Sequence, residues 1–292
     1  MRNFISISIA FVLLACQNGS ETLTKLYSLP KKLKEVSGIV YTQKDNLFWT
    51  LEDSGNANKI YGLNVENGAI EKTVIIENTS NTDWEDITKD KEGNLYIGDF
   101  GNNNNVRKDL CIYKIDKKSL NLENAIPAYK ISFSYPEQKM FPPKKTALFF
   151  DVEGFFEYKN NFYLFTKNRS KGFDGTVLVY KIPNKAGFHQ AVLMGKFKTC
   201  DNYNHCAVTS AAISPDASKV VLLTHDKIVL LANFKEDNFL KGKQSLLKLN
   251  HFSQKEAICF KNNETLIIAD EKTKKIGGNV YEVSLSTLKS IP

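Results

Sequence analysis

Three short segments of the sequence each place a glutamate two residues before an apolar position. Glu85 lies in Trp84-Glu-Asp-Ile87, Glu153 in Val152-Glu-Gly-Phe155 and Glu256 in Lys255-Glu-Ala-Ile258. Carboxylates held close together repel one another and raise each other's pKa unless a cation lies among them. Ca²⁺ accepts roughly six to eight oxygen ligands in flexible geometry. We therefore predict that Glu85, Glu153 and Glu256 converge and bind a calcium ion.

Two other arrangements would also satisfy these glutamates. Lys167, Arg169 or a cluster of ordered water could neutralise them in place of a metal ion. Alternatively, each glutamate could accept hydrogen bonds from backbone amides of a neighbouring repeat and serve only to pack the repeats together.

Further polar residues fall in the loops that would surround these glutamates. Binding residues concentrate in loops held by a rigid scaffold, so these side chains are candidates for contacting a polar ligand. The loop 98–109 is rich in glycine and asparagine, which permit left-handed backbone and offer amide donors and acceptors. The predicted ligand-binding residues are Asp53, Asp83, Asp99, Asn102, Asp151, Asn168, Arg169, His225, Asp270 and Glu271.

The glutamate segments belong to a repeated pattern of short β-branched and aromatic runs separated by polar turns, with almost no helical periodicity. Units of roughly 40 to 50 residues with four strands each are typical of a β-propeller. The first strand of each unit is predicted at 36–39, 84–87, 152–155, 210–213 and 255–258. In the fourth unit, Ala211 stands where the other units suggest an acid.

The pattern predicts an all-β propeller of five blades. The fifth unit lacks a fourth strand, and the alternating segment 23–29 is predicted to supply it and to close the ring. A sixth blade would require an extra sheet within 119–150, where four prolines favour an elaborated loop instead. A β-sandwich or a stack of meanders is the alternative architecture.

The N-terminal residues predict export. An apolar run too short to span a bilayer follows Arg2 and ends at Leu13-Leu-Ala-Cys16. This segment resembles a lipobox, which implies a signal peptide over 1–15 and a lipid on Cys16. We then expect a short tether over 16–22 and a single propeller domain over 23–292. An ordinary secretory signal is the alternative. We expect a monomer on the bacterial cell envelope, on the periplasmic or the cell-surface side.

The remaining composition narrows the partners and the covalent links. The formal net charge of +7 is spread over many lysines without a concentrated basic arm, so nucleic acid is not an expected partner. Cys200 and Cys206 share one polar loop and are predicted to form a disulfide, which the exported compartment permits. A metal site with His205 is the alternative. Cys111 and Cys259 lie in apolar strand patterns and are predicted to be buried.

Several motifs recur along the chain, namely Glu35-Val-Ser-Gly-Ile39, Trp49-Thr-Leu-Glu-Asp-Ser-Gly-Asn56, Asp83-Trp-Glu-Asp-Ile87, Leu95-Tyr-Ile-Gly-Asp-Phe-Gly-Asn-Asn103, Asp151-Val-Glu-Gly154, Ser214-Pro-Asp216 and Glu256-Ala-Ile258. Together they resemble a group of exported propellers related to the NHL, SMP-30/gluconolactonase-like, SdiA-regulated and esterase-like phytase proteins. The resemblance spans nearly the whole chain after Cys16 and implies a divalent cation on the axis, with Glu85, Glu153 and Glu256 as its candidate ligands.

The sequence therefore predicts a membrane-anchored propeller that binds a small polar molecule, with Ca²⁺, on one face. Nucleophile-elbow, zincin, P-loop and dinucleotide motifs are absent from the sequence. A calcium-dependent hydrolase of phosphate esters or lactones is the enzymatic alternative. An interaction scaffold for an envelope protein, anchored by exposed aromatic residues of the insertion 135–150, is the third.

Overall fold

A computed structural model describes residues 22–291, and nearly all of this part of the chain is β-structure. The only α-helical segment in these residues is one turn, α1 (Tyr203–Cys206), and three 3₁₀ turns lie at Lys117–Asn121, Phe239–Lys241 and Leu285–Thr287. The strands are β1 (Thr24–Ser28), β2 (Val36–Thr42), β3 (Leu47–Glu52), β4 (Lys59–Asn64), β5 (Ile70–Ile76), β6 (Trp84–Lys89), β7 (Leu95–Asp99), β8 (Cys111–Ile115), β9 (Asn124–Ala125), β10 (Tyr129–Ser134), β11 (Asp151–Tyr158), β12 (Asn161–Lys167), β13 (Thr176–Pro183), β14 (Gly187–Gln190), β15 (Val192–Lys198), β16 (Ser210–Ile213), β17 (Lys219–Leu223), β18 (Lys227–Ala232), β19 (Lys243–Lys248), β20 (Lys255–Phe260), β21 (Thr265–Asp270), β22 (Asn279–Ser284) and β23 (Lys289–Ile291).

The strands form five small sheets, which are the five blades that the repeat predicts. From the innermost strand outwards, the blades are β2-β3-β4-β5, β6-β7-β8-β10, β11-β12-β13-β15, β16-β17-β18-β19 and β20-β21-β22-β1. The innermost strands β2, β6, β11, β16 and β20 contact one another in a closed ring around a central channel. Closure protects strand edges that an open array would leave exposed.

The N-terminal strand closes the ring. Strand β1 pairs antiparallel with β22, with Thr24 opposite Glu282 and Ser28 opposite Asn279. The fifth blade therefore takes three strands from the end of the chain and one from its beginning, as predicted. The predicted signal peptide, Cys16 and most of the predicted tether lie outside the described residues. No helix between residues 22 and 291 is long and apolar enough to cross a membrane.

Three blades carry a fifth, outermost strand. Strand β9 pairs parallel with β5, β14 pairs parallel with β10, and β23 pairs antiparallel with β19. Segment 119–150 thus contributes β9 and β10 to neighbouring blades and forms no sheet of its own. The sixth blade is not present among the described strands.

The core consists of apolar side chains packed between adjacent blades. Trp49 and Trp84 are fully buried between the first and second blades. An aromatic group that includes Phe100 and Phe155 fills the space between the second and third blades, with their rings 5.1 Å apart. Fully burying a large side chain of this kind contributes about 1.5–3 kcal/mol, so the contacts between blades account for much of the stability.

The expectation of an exposed aromatic surface over 135–150 is wrong for the aromatic residues at its two ends. Tyr135 and Phe150 are buried in the same aromatic group, and their rings lie 5.3 Å apart. Only Met140 and Phe141 expose substantial apolar area in this insertion. A buried aromatic ring gains more from the blade interface than it would from solvent, which explains why an aromatic-rich loop folds inwards.

Four of the five inner strands carry a β-bulge close to their start. The residues left unpaired by the bulge are Ser37 in β2, Glu85 in β6, Glu153 in β11 and Glu256 in β20. A bulge inserts one residue and re-aims its side chain relative to the regular strand. Each of these four side chains is therefore presented at the end of the channel where the inner strands begin, which we call the top face.

Candidate functional site

The fourth blade has no such bulge, which changes how its sequence corresponds to the others. Ser210 pairs directly with Leu223, and the backbone amide of Thr209 donates to the Leu223 carbonyl. The Thr209 hydroxyl donates to the Lys255 carbonyl of the next blade at 2.6 Å, as Ser37 does to the Trp84 carbonyl at 2.8 Å. Thr209, and not Ala211, therefore occupies the position of the glutamates in the fourth blade.

The predicted glutamates lie in one electrostatic group at the top face. Oxygen atoms of Glu85, Asp151 and Glu153 lie within 4.8 Å of one another, and so do those of Asp53, Asp83 and Glu85. Glu85 belongs to both trios and joins them.

Glu256 completes the group from the fifth blade. It interacts electrostatically with Glu153, and Lys167 interacts with both of these carboxylates. Blades one, two, three and five thus all contribute carboxylates to one funnel around the axis.

Glu153 is neutralised by two cations from its own blade. Lys167 Nζ lies 2.9 Å from one carboxylate oxygen of Glu153, and Arg169 Nη2 lies 2.6 Å from the other. Arg169 also donates to Asp151 at 2.5 Å and to the Tyr203 hydroxyl at 2.6 Å. Burial still raises the pKa of Glu153 to about 8, although Lys167 and Arg169 oppose the rise. Both carboxylate oxygen atoms of Glu153 are therefore paired with a cation.

Glu256 pairs with a histidine. Its Oε1 atom lies 3.2 Å from Nε2 of His225, and both side chains are mostly buried. Burial disfavours the charged form of Glu256, but Lys167 and His225 outweigh burial and hold its pKa below the ordinary value. Glu256 is therefore ionised at neutral pH.

Glu85 differs from the other two glutamates because no cation pairs with it. Among residues 22–291 its carboxylate has neither an ion-pair partner nor a hydrogen-bond donor. Burial, followed by repulsion from Glu153, Asp53, Asp151 and Asp83, raises its pKa well above the ordinary range. The same causes, burial first and then Asp53 and Asp151, raise the pKa of Asp83 to about 7.

The absence of a side chain at Gly101 leaves space for the carboxylates of Glu85 and Asp83. A Cβ atom at position 101 would collide with the Glu85 carboxylate and lie 2.6 Å from Oδ2 of Asp83. The glycine follows β7 in the loop 98–109, so this loop contributes empty space to the funnel as well as polar groups. Glu271 lies at the rim, where burial and then Glu256, Asp53 and Glu35 raise its pKa to about 8.

Four predicted ligand-binding residues instead organise loops and blades. Asp99 pairs with Arg107 at 2.9 Å, and Asn168 accepts from the backbone of Ser170. The backbone N–H of Asn102 donates to the Asp151 carboxylate at 2.6 Å and fixes its position. Asp270 accepts from the Asn279 backbone and the Tyr281 hydroxyl. These side chains are engaged within the protein and leave Asp53, Asp83, Asp151, Arg169, His225 and Glu271 around the funnel.

The structure pairs Cys200 with Cys206 in a disulfide, with the Cα atoms 5.5 Å apart. The closed loop contains α1 and presents Tyr203 to Arg169. Tyr203 and Arg107 support the site but were not among the predicted residues. The only sequence feature that pointed to them was their position in the loop 98–109 and in the loop between Cys200 and Cys206. Cys111 and Cys259 are free and buried.

The comparisons with known proteins show the fold and nothing finer. No protein-family model matches the sequence, and neither does any curated protein. A chain of the crystal structure of the nidogen/laminin complex is similar at 13% identity over 89% of this chain and 79% of that chain, with a TM-score of 0.50. The PQQ-bound aldose sugar dehydrogenase of Streptomyces coelicolor is similar at 9% identity over 90% of this chain and 97% of that chain, with a TM-score of 0.54. The chain is a five-bladed β-propeller.

Proposed function

We propose that this protein is a lipid-anchored propeller of the bacterial cell envelope that binds a polar ligand on its top face through a calcium ion. The observation that carries the proposal is the Glu85 carboxylate, whose oxygen atoms lie within 4.8 Å of those of Asp53 and Asp83 and also of those of Asp151 and Glu153. Buried carboxylates at this spacing lose ionisation unless a cation joins them, and no side chain in the described part of the chain supplies that cation to Glu85.

The donor set fits a hard divalent cation. All the candidate ligand atoms are carboxylate oxygens, which suit Ca²⁺ better than the sulfur and imidazole ligands that select zinc or copper. The geometry favours Asp53, Asp83 and Glu85 as the residues that hold the ion. Glu153 and Glu256 are already paired with Lys167, Arg169 and His225, so their role is to shape the funnel and its charge.

The ligand would lie between the ion and the basic side of the funnel. Arg169 retains about a fifth of its side-chain exposure, while Asp151 and Glu153 hold its guanidinium in place. When bound, calcium supplies an electrophilic centre for ligand oxygen atoms. A small molecule with several oxygen atoms therefore matches both sides of the funnel.

The anchoring part of the proposal rests on the sequence Leu13-Leu-Ala-Cys16 and on the position of the folded domain. Leu23 is already buried in the fifth blade region, next to the start of β1. A lipid on Cys16 would thus be joined to the propeller by the short segment 16–22.

Calorimetric titration with CaCl₂ of the protein previously treated with chelator tests the ion. We expect one-site binding that weakens at least tenfold in Glu85→Gln, because a buried carboxylate ligand is replaced by a neutral amide. Glu66→Gln removes an exposed carboxylate outside the funnel and should leave binding unchanged. Equal calcium affinity in the wild type and Glu85→Gln would contradict the proposal.

The pairing of His225 with Glu256 favours a second function, calcium-dependent hydrolysis of a phosphate ester or lactone. A histidine held by a carboxylate beside a metal site is able to accept or donate a proton during hydrolysis. Turnover of p-nitrophenyl phosphate and of a γ-lactone should then require calcium and be lost in His225→Gln, with His189→Gln as the matched control. Calcium binding without turnover of either substrate would contradict the hydrolase and leave the binding function.

A further inference from the structure

The channel has a second opening at the end opposite the carboxylates. A cavity of about 460 Å³ lies there between the inner strands of all five blades, and we call it the lower cavity. This volume falls within the range of roughly 300–1,000 Å³ that small-molecule sites occupy. Its lining combines polar side chains with buried apolar residues of four blades, among them Ile39, Ile87, Ala211 and Ile258.

Asp86 separates the lower cavity from the carboxylates above it. Its Oδ1 atom accepts from the Ile87 amide at 2.8 Å. Its Oδ2 atom accepts from the Phe155 amide at 3.3 Å and from the Ser210 hydroxyl at 3.2 Å. These bonds join the second, third and fourth blades across the channel. The lower cavity is therefore a distinct compartment that the calcium proposal does not involve.

Lys89, on the wall of the lower cavity, has no counter-ion among residues 22–291. Lys89 Nζ donates to the Tyr41 carbonyl at 2.6 Å, and no carboxylate in the described chain pairs with it. An ammonium has three N–H donors, so two remain for another partner. Burial lowers the pKa of Lys89, which agrees with a cation that is poorly solvated and poorly paired.

The two acids of the lower cavity do not compensate Lys89. Asp90 accepts from Asn94 and from the Tyr96 hydroxyl, and these bonds occupy both of its oxygen atoms. Glu157 accepts from the Asn160 amide at 2.6 Å, and burial raises its pKa. A half-buried ammonium without a carboxylate partner is unfavourable, and an anion placed beside it would be stabilised.

We propose that the lower cavity binds a small amphiphilic carboxylate, with its apolar chain between Ile39, Ile87 and Ile258 and its carboxylate on Lys89. The apolar residues of the lining favour a ligand with an apolar chain, and the ammonium of Lys89 favours an anionic head group. The mouth is formed by exposed residues that include Gln43 and Lys91, so the head group and the chain have a route from solvent.

Calorimetric titration of the wild-type protein with decanoate, decylammonium and acetate tests both parts of the proposal. We expect saturable binding of decanoate alone, because acetate lacks the chain and decylammonium carries the wrong charge. Binding of decylammonium as tight as that of decanoate, or no saturable decanoate binding, would overturn the proposal without any variant being needed.

Variants locate the site. Lys89→Met should weaken decanoate at least about tenfold, the loss expected for one charge-assisted hydrogen bond, while Lys89→Arg retains binding. Arg169→Gln removes a cation of the top face, at the opposite end of the channel, and should leave decanoate binding unchanged. If Arg169→Gln abolishes binding and Lys89→Met does not, decanoate binds at the top face and the inference is wrong.

Discussion

Glu153 and Lys167 face each other within the third blade, with 2.9 Å between Oε2 and Nζ and less than a tenth of either side chain exposed. Glu153 comes from the bulge of β11 and Lys167 from the end of β12, so adjacent strands bring the pair together. The pair explains why one of the predicted metal ligands is satisfied without an ion. Glu85 is then the predicted metal ligand that has no cation partner in the described part of the chain.

Removing the lysine of this pair should be costly. Lys167→Met leaves Glu153 buried with Arg169 as its remaining cation, and we expect the free energy of unfolding to fall by about 3 kcal/mol. Lys198→Met removes a lysine from an exposed pair with Asp174, so its effect should stay under about 1 kcal/mol. Urea unfolding followed by circular dichroism measures both. Equal losses in the two variants would show that burial of the pair carries no special energy.

The raised acid pKa values predict how stability and calcium binding depend on pH. Folding raises the pKa of Asp83 from 3.8 to about 7 and that of Glu271 from 4.5 to about 8. The folded state thus binds protons more tightly than the unfolded state, so in the absence of calcium the free energy of unfolding contributed by these groups falls as pH rises from about 4 to about 8.

Calcium binds the ionised carboxylates, so its affinity should rise across the same pH window. Urea unfolding at pH 4.5, 6 and 8, with either calcium or chelator, measures both trends. Asp83→Asn should reduce the fall in stability that is seen with chelator. A fall of unchanged size in Asp83→Asn would mean that Asp83 does not titrate in this range.

Contact between neighbouring blades leaves no room for a side chain at Gly38. A Cβ atom there would lie 2.6 Å from the Ile87 amide nitrogen and 2.8 Å from the Asp86 Cα atom, both of them backbone. We expect Gly38→Ala to lower the free energy of unfolding by about 1–3 kcal/mol, the usual effect of overpacking. At Gly62 the nearest atom is the Leu47 side chain, at 3.1 Å, which is able to move. Thermal unfolding of Gly62→Ala should therefore resemble the wild type; an equal loss in both variants would contradict the explanation.

Ring closure by β1 should matter more than the outermost strand β23. Deleting residues 22–29 opens the ring between the first and fifth blades and exposes the edge of β22, so we expect loss of cooperative unfolding. Deleting residues 289–292 removes only the fifth strand of the fourth blade and should reduce the melting temperature slightly. Differential scanning calorimetry distinguishes the two. A sharp transition after deletion of 22–29 would show that a fifth blade of three strands is enough for cooperative unfolding.

The repeat made the architecture readable from sequence. Strand runs such as 84–87 and 255–258 recur with similar spacing, and the unpaired segment 23–29 matched the strand missing from the fifth unit. Both features depend on local alternation and on chain order, which a sequence contains. Ala211 was matched to Glu85, Glu153 and Glu256 by its distance from Ile213, whereas Thr209, two residues earlier, holds their position. A shift of two residues preserves the alternation of a strand, so the sequence pattern does not reveal it.

The ion-pair and hydrogen-bond partners of the site residues could not be predicted from the sequence. The sequence presented Glu85, Glu153 and Glu256 as equivalent, but Lys167 and Arg169 reach only one of them closely. Which cation meets which carboxylate depends on strand ends and side-chain direction in three dimensions. Asp99 and Asn102 have the composition of ligand-binding residues, yet their hydrogen bonds serve their own loop. Burial of Tyr135 and Phe150 likewise follows from the neighbouring blade rather than from the local sequence.

The hydrogen bonds of Asp86 cross the axis of the propeller between the top face and the lower cavity. Under the two proposals, one chain would bind calcium beside Glu85 and an organic anion beside Lys89, at opposite ends of the channel. Thermodynamic coupling between these two ligands would then pass through the bonds that Asp86 makes to three blades.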